Sequence, residues 1–85
     1  MDKKVAVITG SGQGIGKAIA ERLGKDGFTI VISDVNEESA NRTSIELMEK
    51  GIESMAVQAN VSSKKEIESL VEQTVQQYGQ LDVFH

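Results

Sequence analysis

Apolar residues along this chain follow two alternating rhythms. Residues 4–8 end in four consecutive apolar side chains, Val5, Ala6, Val7 and Ile8, and residues 29–33 carry Ile30, Val31 and Ile32 in a row. Short unbroken runs of this kind, rich in β-branched residues, fit strands buried on both faces of a sheet. Ser54–Gln58 and residues 81–84 form a third and a fourth run.

Between these runs the spacing lengthens to that of a helix. Ile15, Ala18, Ile19, Arg22 and Leu23 share one face of a predicted helix over 14–25, and Gly27 stands where a helix end favours positive φ. Asn36 is a natural N-cap for a second helix reaching Lys50 and stopping at Gly51, with Glu37 and Glu38 at its positive end. Its inner stripe, Ala40, Thr43, Leu47 and Met48, is weaker than the others. The third helix opens at Val61-Ser62-Ser63, with Ser63 and Glu66 at capping-box spacing. Ile67, Leu70, Val71, Thr74, Val75 and Tyr78 lie on its apolar face, and Gly79 ends it.

The order is therefore β-α-β-α-β-α-β, with connections too long for hairpins, so the strands are expected to be parallel and joined by right-handed crossovers. The expected fold class is α/β: a truncated Rossmann-like, doubly wound sheet of order 3-2-1-4, its switch point between the first and fourth strands. Residues 1–85 are expected to make a single half-domain of this fold, uninterrupted by repeats, linkers or low-complexity tracts. A domain this small buries only about 60–65% of the surface its unfolded chain exposes. Its stability is expected to lean on an oligomer or a bound ligand.

The first strand breaks straight into glycines. Residues 5–16 read VAVITGSGQGIG, with Gly10, Gly12, Gly14 and Gly16 on alternate positions before the first helix. Glycine lets the backbone turn sharply and lets a phosphate approach without meeting a Cβ. The free N–H groups and dipole of the new helix then face that phosphate. The common dinucleotide fingerprint G-x-G-x-x-G is not met, because Ile15 and Lys17 stand three positions beyond Gly12 and Gly14. Asp34, 18 positions beyond Gly16, closes the second strand where an acid is expected to accept hydrogen bonds from adenosine ribose hydroxyls. A carboxylate there repels the 2′-phosphate of NADP, which points to NAD.

Composition removes other classes. The net charge of −4 and two isolated basic pairs, Lys3-Lys4 and Lys64-Lys65, argue against nucleic acid. No apolar stretch approaches the ~20 residues that span a bilayer, and the apolar run near the N-terminus is too short for a signal peptide. No cysteine and a single histidine leave no metal-ligand spacing, and cysteine absence fits a cytoplasmic protein. Gly16-Lys17-Ala18 lacks the G-K-[ST] of a phosphate-binding P-loop.

Thr9-Gly10, three residues, then Gly14-Ile15-Gly16 resembles the cofactor loop of the short-chain dehydrogenase/reductase family. Within it, KVAVITGSGQGIGKAIAERLGKDGF and ISDVNEESA look most like acetoin/diacetyl reductases, also called butanediol dehydrogenases. The resemblance implies hydride transfer between NAD(H) and a small carbonyl or alcohol. It implies cofactor contacts from Gly10, Ser11, Gly12, Gln13, Gly14, Ile15 and Gly16, and from Asp34 and Val35. Asn60 and Val61 stand where the family has Asp-Val, the acid accepting from the adenine amino group; the Asn60 amide oxygen can still accept. The loop has no basic residue among Ser11, Gly12 and Gln13, where NADP-preferring relatives often carry one. Lys17 is expected on the helix exterior.

Thr9 is expected to brace the backbone near the fourth strand. The family's Ser and Tyr-x-x-x-Lys are expected beyond position 85. The sole tyrosine here, Tyr78, is followed four residues later by Asp82 and reads as core, so no residue receives a catalytic role. His85 reads as a frayed terminal residue. The expected function is NAD(H) binding without catalysis by this chain alone. The alternative is a self-associating structural unit that does not bind cofactor, a homodimer through the uncovered fourth-strand edge or a helix face.

Overall fold

The computed structural model describes residues 4–12 and 14–85. Its elements are β1 (Val5–Thr9), α1 (Gly14–Lys25), β2 (Thr29–Asp34), α2 (Glu37–Glu49), β3 (Ser54–Gln58), α3 (Lys64–Tyr78) and β4 (Val83–Phe84). The four strands form one sheet in the order β3-β2-β1-β4, every pairing parallel. The register sets Val5 opposite Thr29 and Thr9 opposite Ser33, and carries Ile30 against Ser54 through Asp34 against Gln58. All the strands therefore run out at one edge, where the glycine turn begins.

Strand alternation divides the core in two. Ala6, Ile8, Ile30 and Ile32 face α1 and α2, where they meet Ala20, Ala40, Leu47 and Ile52. Val5, Val7 and Val31 face the other way, with Val57 and Ala59, onto Leu70 of α3. Burial on both faces explains why β1 and β2 read as continuous apolar runs.

The helices depart from the expected stripes in informative ways. In α2 the inward row is Ser39, Ala40, Thr43, Ser44 and Leu47, and Met48 is half exposed. Asn36 caps this helix as expected, its side chain accepting the Ser39 N–H at 3.0 Å. In α3 only Leu70 and Thr74 are buried, while Val75 lies outside. On α1 only Ala20 is buried; Ile15 is 82% exposed and, with Ala18, Ile19, Arg22 and Leu23, lines a shallow apolar depression.

The capping box of α3 is not reciprocal. Ser63 accepts the Glu66 N–H at 3.3 Å, but the Glu66 carboxylate reaches past it to accept the Asn60 N–H at 2.8 Å. The Ser63 N–H turns to the Asn60 carbonyl instead.

β4 is shorter than the expected 81–84, yet it is clasped to β1 at both ends. Asp82 bonds Val5 twice, donating its backbone N–H to the Val5 carbonyl at 2.9 Å and accepting the Val5 N–H on its side-chain carboxylate at 2.8 Å. At the other end Thr9 donates both its N–H and its hydroxyl to the His85 carbonyl, each at 2.8 Å. The His85 N–H bonds the Val7 carbonyl, so the His85 backbone is paired rather than frayed. Thr9 braces the fourth strand as expected. Among the described residues no helix is long and apolar enough to cross a membrane.

Candidate functional site

The carboxyl ends of β1, β2 and β3 bring most of the expected residues together, as open α/β sheets do at a switch point. β1 leaves the sheet at Thr9, and Gly10 turns the chain with φ 63°, a left-handed angle that favours glycine. The turn ends at Gly14, φ 65°, which starts α1. Among the described residues and apart from the neighbouring backbone, no atom lies within 4 Å of where a Cβ would stand on either residue, so the turn is open at these positions.

The other side is packed against backbone. A Cβ on Gly16 would stand 2.9 Å from the Gly10 carbonyl carbon and 2.9 Å from Ser11 Cα. The first turn of α1 thus lies directly against the loop, with the N–H groups that a helix start leaves without intrahelical acceptors. Gly12 is equally confined, since a Cβ there would meet Asp34 Oδ2 at 2.8 Å and Ser39 Cβ at 2.8 Å.

Asp34, at the end of β2, joins the turn to the second helix. Its Oδ2 accepts the Gly12 N–H at 3.0 Å and its Oδ1 accepts the Asn36 N–H at 3.0 Å. The carboxylate is half-buried, and each oxygen keeps lone-pair capacity for a further donor. Val35 beside it is exposed, its carbonyl taking the Gln58 side-chain amide at 3.1 Å. Asn60 and Val61 are exposed just past β3. The Asn60 Oδ1 is engaged locally, accepting the Ser62 N–H at 3.0 Å and the Ser62 hydroxyl at 2.7 Å, an Asx turn.

One expected contributor behaves differently. The Ser11 side chain is fully buried, donating to the Ile8 carbonyl and accepting the Ser33 N–H at 3.2 Å. Its hydroxyl builds the loop and does not face the open side. Gln13 lies outside the described residues. Lys17 is ion-paired to Glu46 of α2, which directs its charge away from the turn. Sequence reasoning also missed two residues on α2. The Thr43 hydroxyl donates to the Gly12 carbonyl at 2.8 Å, and Ser39 packs against Gly12. The signal was the weak apolar stripe of α2, small and hydroxyl-bearing where it crosses the loop.

The Ser33 hydroxyl, at the end of β2, is fully buried without a partner among the described residues. Tyr78 rests on the α3-side core, and burial raises its phenol above the ordinary value, with Glu53 adding to the shift. Four residues on, Asp82 is committed to β1. Among the described residues no cluster of His, Cys, Asp and Glu is arranged to hold a metal.

A glycine-rich turn after a parallel strand, a helix N-terminus against it and an acid at the end of the neighbouring strand are the arrangement of the first half of a Rossmann-type fold. The model of the short chain dehydrogenase family matches residues 4–85, and the chain belongs to that family. It is 52% identical over 80 residues to a diacetyl reductase [(S)-acetoin forming] of Staphylococcus epidermidis, covering 94% of this chain and 31% of that protein. The crystal structure of a hydroxysteroid dehydrogenase from Escherichia coli superposes with a TM-score of 0.94 at 34% identity, over 98% of this chain and 35% of that one. A short chain dehydrogenase/reductase from Burkholderia phymatum in complex with NAD gives 0.93 at 35% identity, over 98% and 30%. The chain spans about a third of the length of these relatives.

Proposed function

We propose that this chain binds the adenosine diphosphate portion of a nicotinamide dinucleotide and prefers NAD to NADP. The observation that carries the reading is the Asp34 carboxylate, fixed beside the glycine turn by the N–H groups of Gly12 and Asn36. In this reading the pyrophosphate lies against Gly10, Gly14, Ile15 and Gly16 at the start of α1. Asp34 accepts the adenosine ribose hydroxyls, and adenine lies between Val35 and the Asn60–Val61 turn. The bound dinucleotide supplies a hydride acceptor or donor; this chain's residues bind and orient its adenosine end.

NAD preference follows from charge. A 2′-phosphate would meet the Asp34 carboxylate at close range, a repulsion of about 4 kcal/mol for unit charges 4 Å apart near a protein surface. Lys17, the cation nearest in sequence to the glycine turn, is paired with Glu46. The parent reaction in this reading is hydride transfer between NAD(H) and a small carbonyl or alcohol such as diacetyl or acetoin, in a cytoplasmic setting. Catalysis by residues 1–85 alone is not part of it, because Tyr78 and Asp82 are committed to packing and to β1.

The test is a fluorescence titration of the chain with NADH and with NADPH, repeated on Asp34→Asn. Saturable NADH binding, weaker NADPH binding and a narrowed gap in Asp34→Asn are expected. A folded chain with no NADH binding up to millimolar cofactor refutes the reading.

That outcome would favour the alternative, a self-associating unit without cofactor. Its specific support is exposed apolar surface: Phe84 on the edge strand β4, and Ile15 on α1. Homodimers at micromolar concentration in sedimentation are its expected signature, and a monomer refutes it.

A further inference from the structure

We propose that Thr43 of α2 is the positioning residue of the glycine turn, fixing the Gly12 backbone so that Asp34 and the N-terminus of α1 engage one ligand together. This rests on the dinucleotide reading above. Gly12 is held from both sides: its N–H donates to Asp34 Oδ2 at 3.0 Å, and its carbonyl accepts the Thr43 hydroxyl at 2.8 Å. Thr43 is 1% exposed and Gly12 is buried, so water does not replace that hydroxyl readily.

The face of α2 that carries Thr43 is organised around this contact. Ser39, one turn earlier, approaches Gly12 so closely that a Cβ there would stand 2.8 Å from the Ser39 Cβ. Glu46, about one turn later, takes the Lys17 ammonium from α1. Ser39, Thr43 and Glu46 thus form a row on α2 that meets first the loop and then the helix the loop starts. The neighbouring inward row, Ala40 and Leu47, packs on the sheet. Because Asp34 also takes the Asn36 N–H where α2 begins, hydrogen bonds join the acid, the turn and α2. Without the Thr43 hydroxyl, the Gly12 carbonyl lacks its partner and the turn is free to rotate away from Asp34.

The test compares Thr43→Val, which keeps the shape and removes the hydroxyl, with Thr43→Ser, which keeps the hydroxyl. Ser44→Ala is the control, a buried hydroxyl on the same helix bonded to Ser54 and away from the loop. The first measurement needs no ligand: amide hydrogen exchange at Gly12 relative to the amides of β1. Thr43→Val is expected to accelerate Gly12 exchange roughly tenfold beyond any change in β1, a factor set by one lost hydrogen bond. Thr43→Ser and Ser44→Ala are expected to leave that ratio as in the parent.

The second measurement is the NADH titration at a temperature where all variants are folded. Thr43→Val is expected to weaken binding by roughly tenfold, while Thr43→Ser and Ser44→Ala match the parent. Equal acceleration at Gly12 and β1 would make Thr43 a stability residue only and overturn the proposal. So would unchanged NADH affinity in Thr43→Val. If the parent itself binds no NADH, the dinucleotide reading fails, and the exchange ratio still decides whether Thr43 holds the turn.

Discussion

Gly16→Ala sets two effects of opposite sign against each other. Gly16 lies in the first turn of α1, and alanine at an ordinary helix position is favoured over glycine by up to about 1 kcal/mol. Against that stands the Cβ itself, 2.9 Å from both the Gly10 carbonyl carbon and Ser11 Cα and closer still to the Gly10 carbonyl oxygen. Non-bonded carbons prefer roughly 3.5–4.0 Å, so the turn must retreat by roughly 0.6–1 Å. The obstructing atoms are all backbone. Ser11 is also anchored, its N–H to the Ser33 carbonyl at 3.1 Å and its hydroxyl between Ile8 and Ser33.

Overpacking of a fixed site costs about 1–3 kcal/mol, and a first-turn position collects only part of the propensity gain. The steric effect wins, with a net loss of about 1–2 kcal/mol. For a domain this size, that lowers Tm by roughly 4–16 °C, read from far-UV circular dichroism. The same retreat carries the turn away from the helix N-terminus, so NADH binding is expected to weaken roughly tenfold or more, as for the loss of one charge-assisted hydrogen bond. An equal or higher Tm together with an NADH titration matching the parent would refute the reasoning. It would mean that the contact between the turn and α1 is not needed by either.

Two further outcomes follow from the core. Leu70 is fully buried and is the α3 residue that shares a core cluster with Val5, Val7, Val31 and Val57, with Tyr78 packed beside it, so Leu70→Ala is expected to cost about 2–5 kcal/mol. With a urea slope near 1 kcal/mol/M the midpoint falls by roughly 2 M or more, and a shift below about half a molar would contradict that packing. Tyr78 has its phenol raised above the ordinary value by burial, with Glu53 adding to it, so the ionised form favours the unfolded chain. Stability is intact below the ordinary phenol range near about pH 10 and falls as pH rises through it toward the raised folded value. Tyr78→Phe should flatten the Tm profile between about pH 9 and about pH 11 relative to the parent; parallel profiles would show that Tyr78 does not titrate in the core.

The strands and the turn were legible in the sequence because their causes are local. Four apolar residues in succession need both faces covered, and a glycine run after them needs a tight turn, whatever surrounds them. The Asn36 cap was legible for the same reason, its partner Ser39 being three residues away. What escaped depends on how one element crosses another. Met48 fits the period of α2 but lies off its contact line, because the helix is rotated to bring Ser39 and Thr43 over Gly12. Residue type cannot report that rotation; a threonine at an inward position shows that a hydroxyl is buried, not which carbonyl it answers. Glu66 departs from its capping box likewise, because Asn60, six residues back, offers an N–H that the Asx turn has brought within reach.

The two ends of the glycine turn answer to different parts of the fold. Its start is set by β4, since Thr9 donates twice to the His85 carbonyl just before Gly10. Its middle is set by α2, through Thr43 and Asp34 on Gly12. Asp34, by contrast, is placed by β2 and β3, with its own carbonyl accepting the Ala59 N–H at 3.1 Å. An adenosine ribose contact at Asp34 therefore depends on the β2–β3 pair, whereas a pyrophosphate contact on the turn depends on β4 and α2 as well. Loosening β4 should disturb the phosphate side of the proposed site before the ribose side. Loosening α2 should do the same by freeing Gly12 from Thr43, with Asp34 still held by the β2–β3 pair. The phosphate side of the proposed site thus rests on more of the fold than the ribose side does.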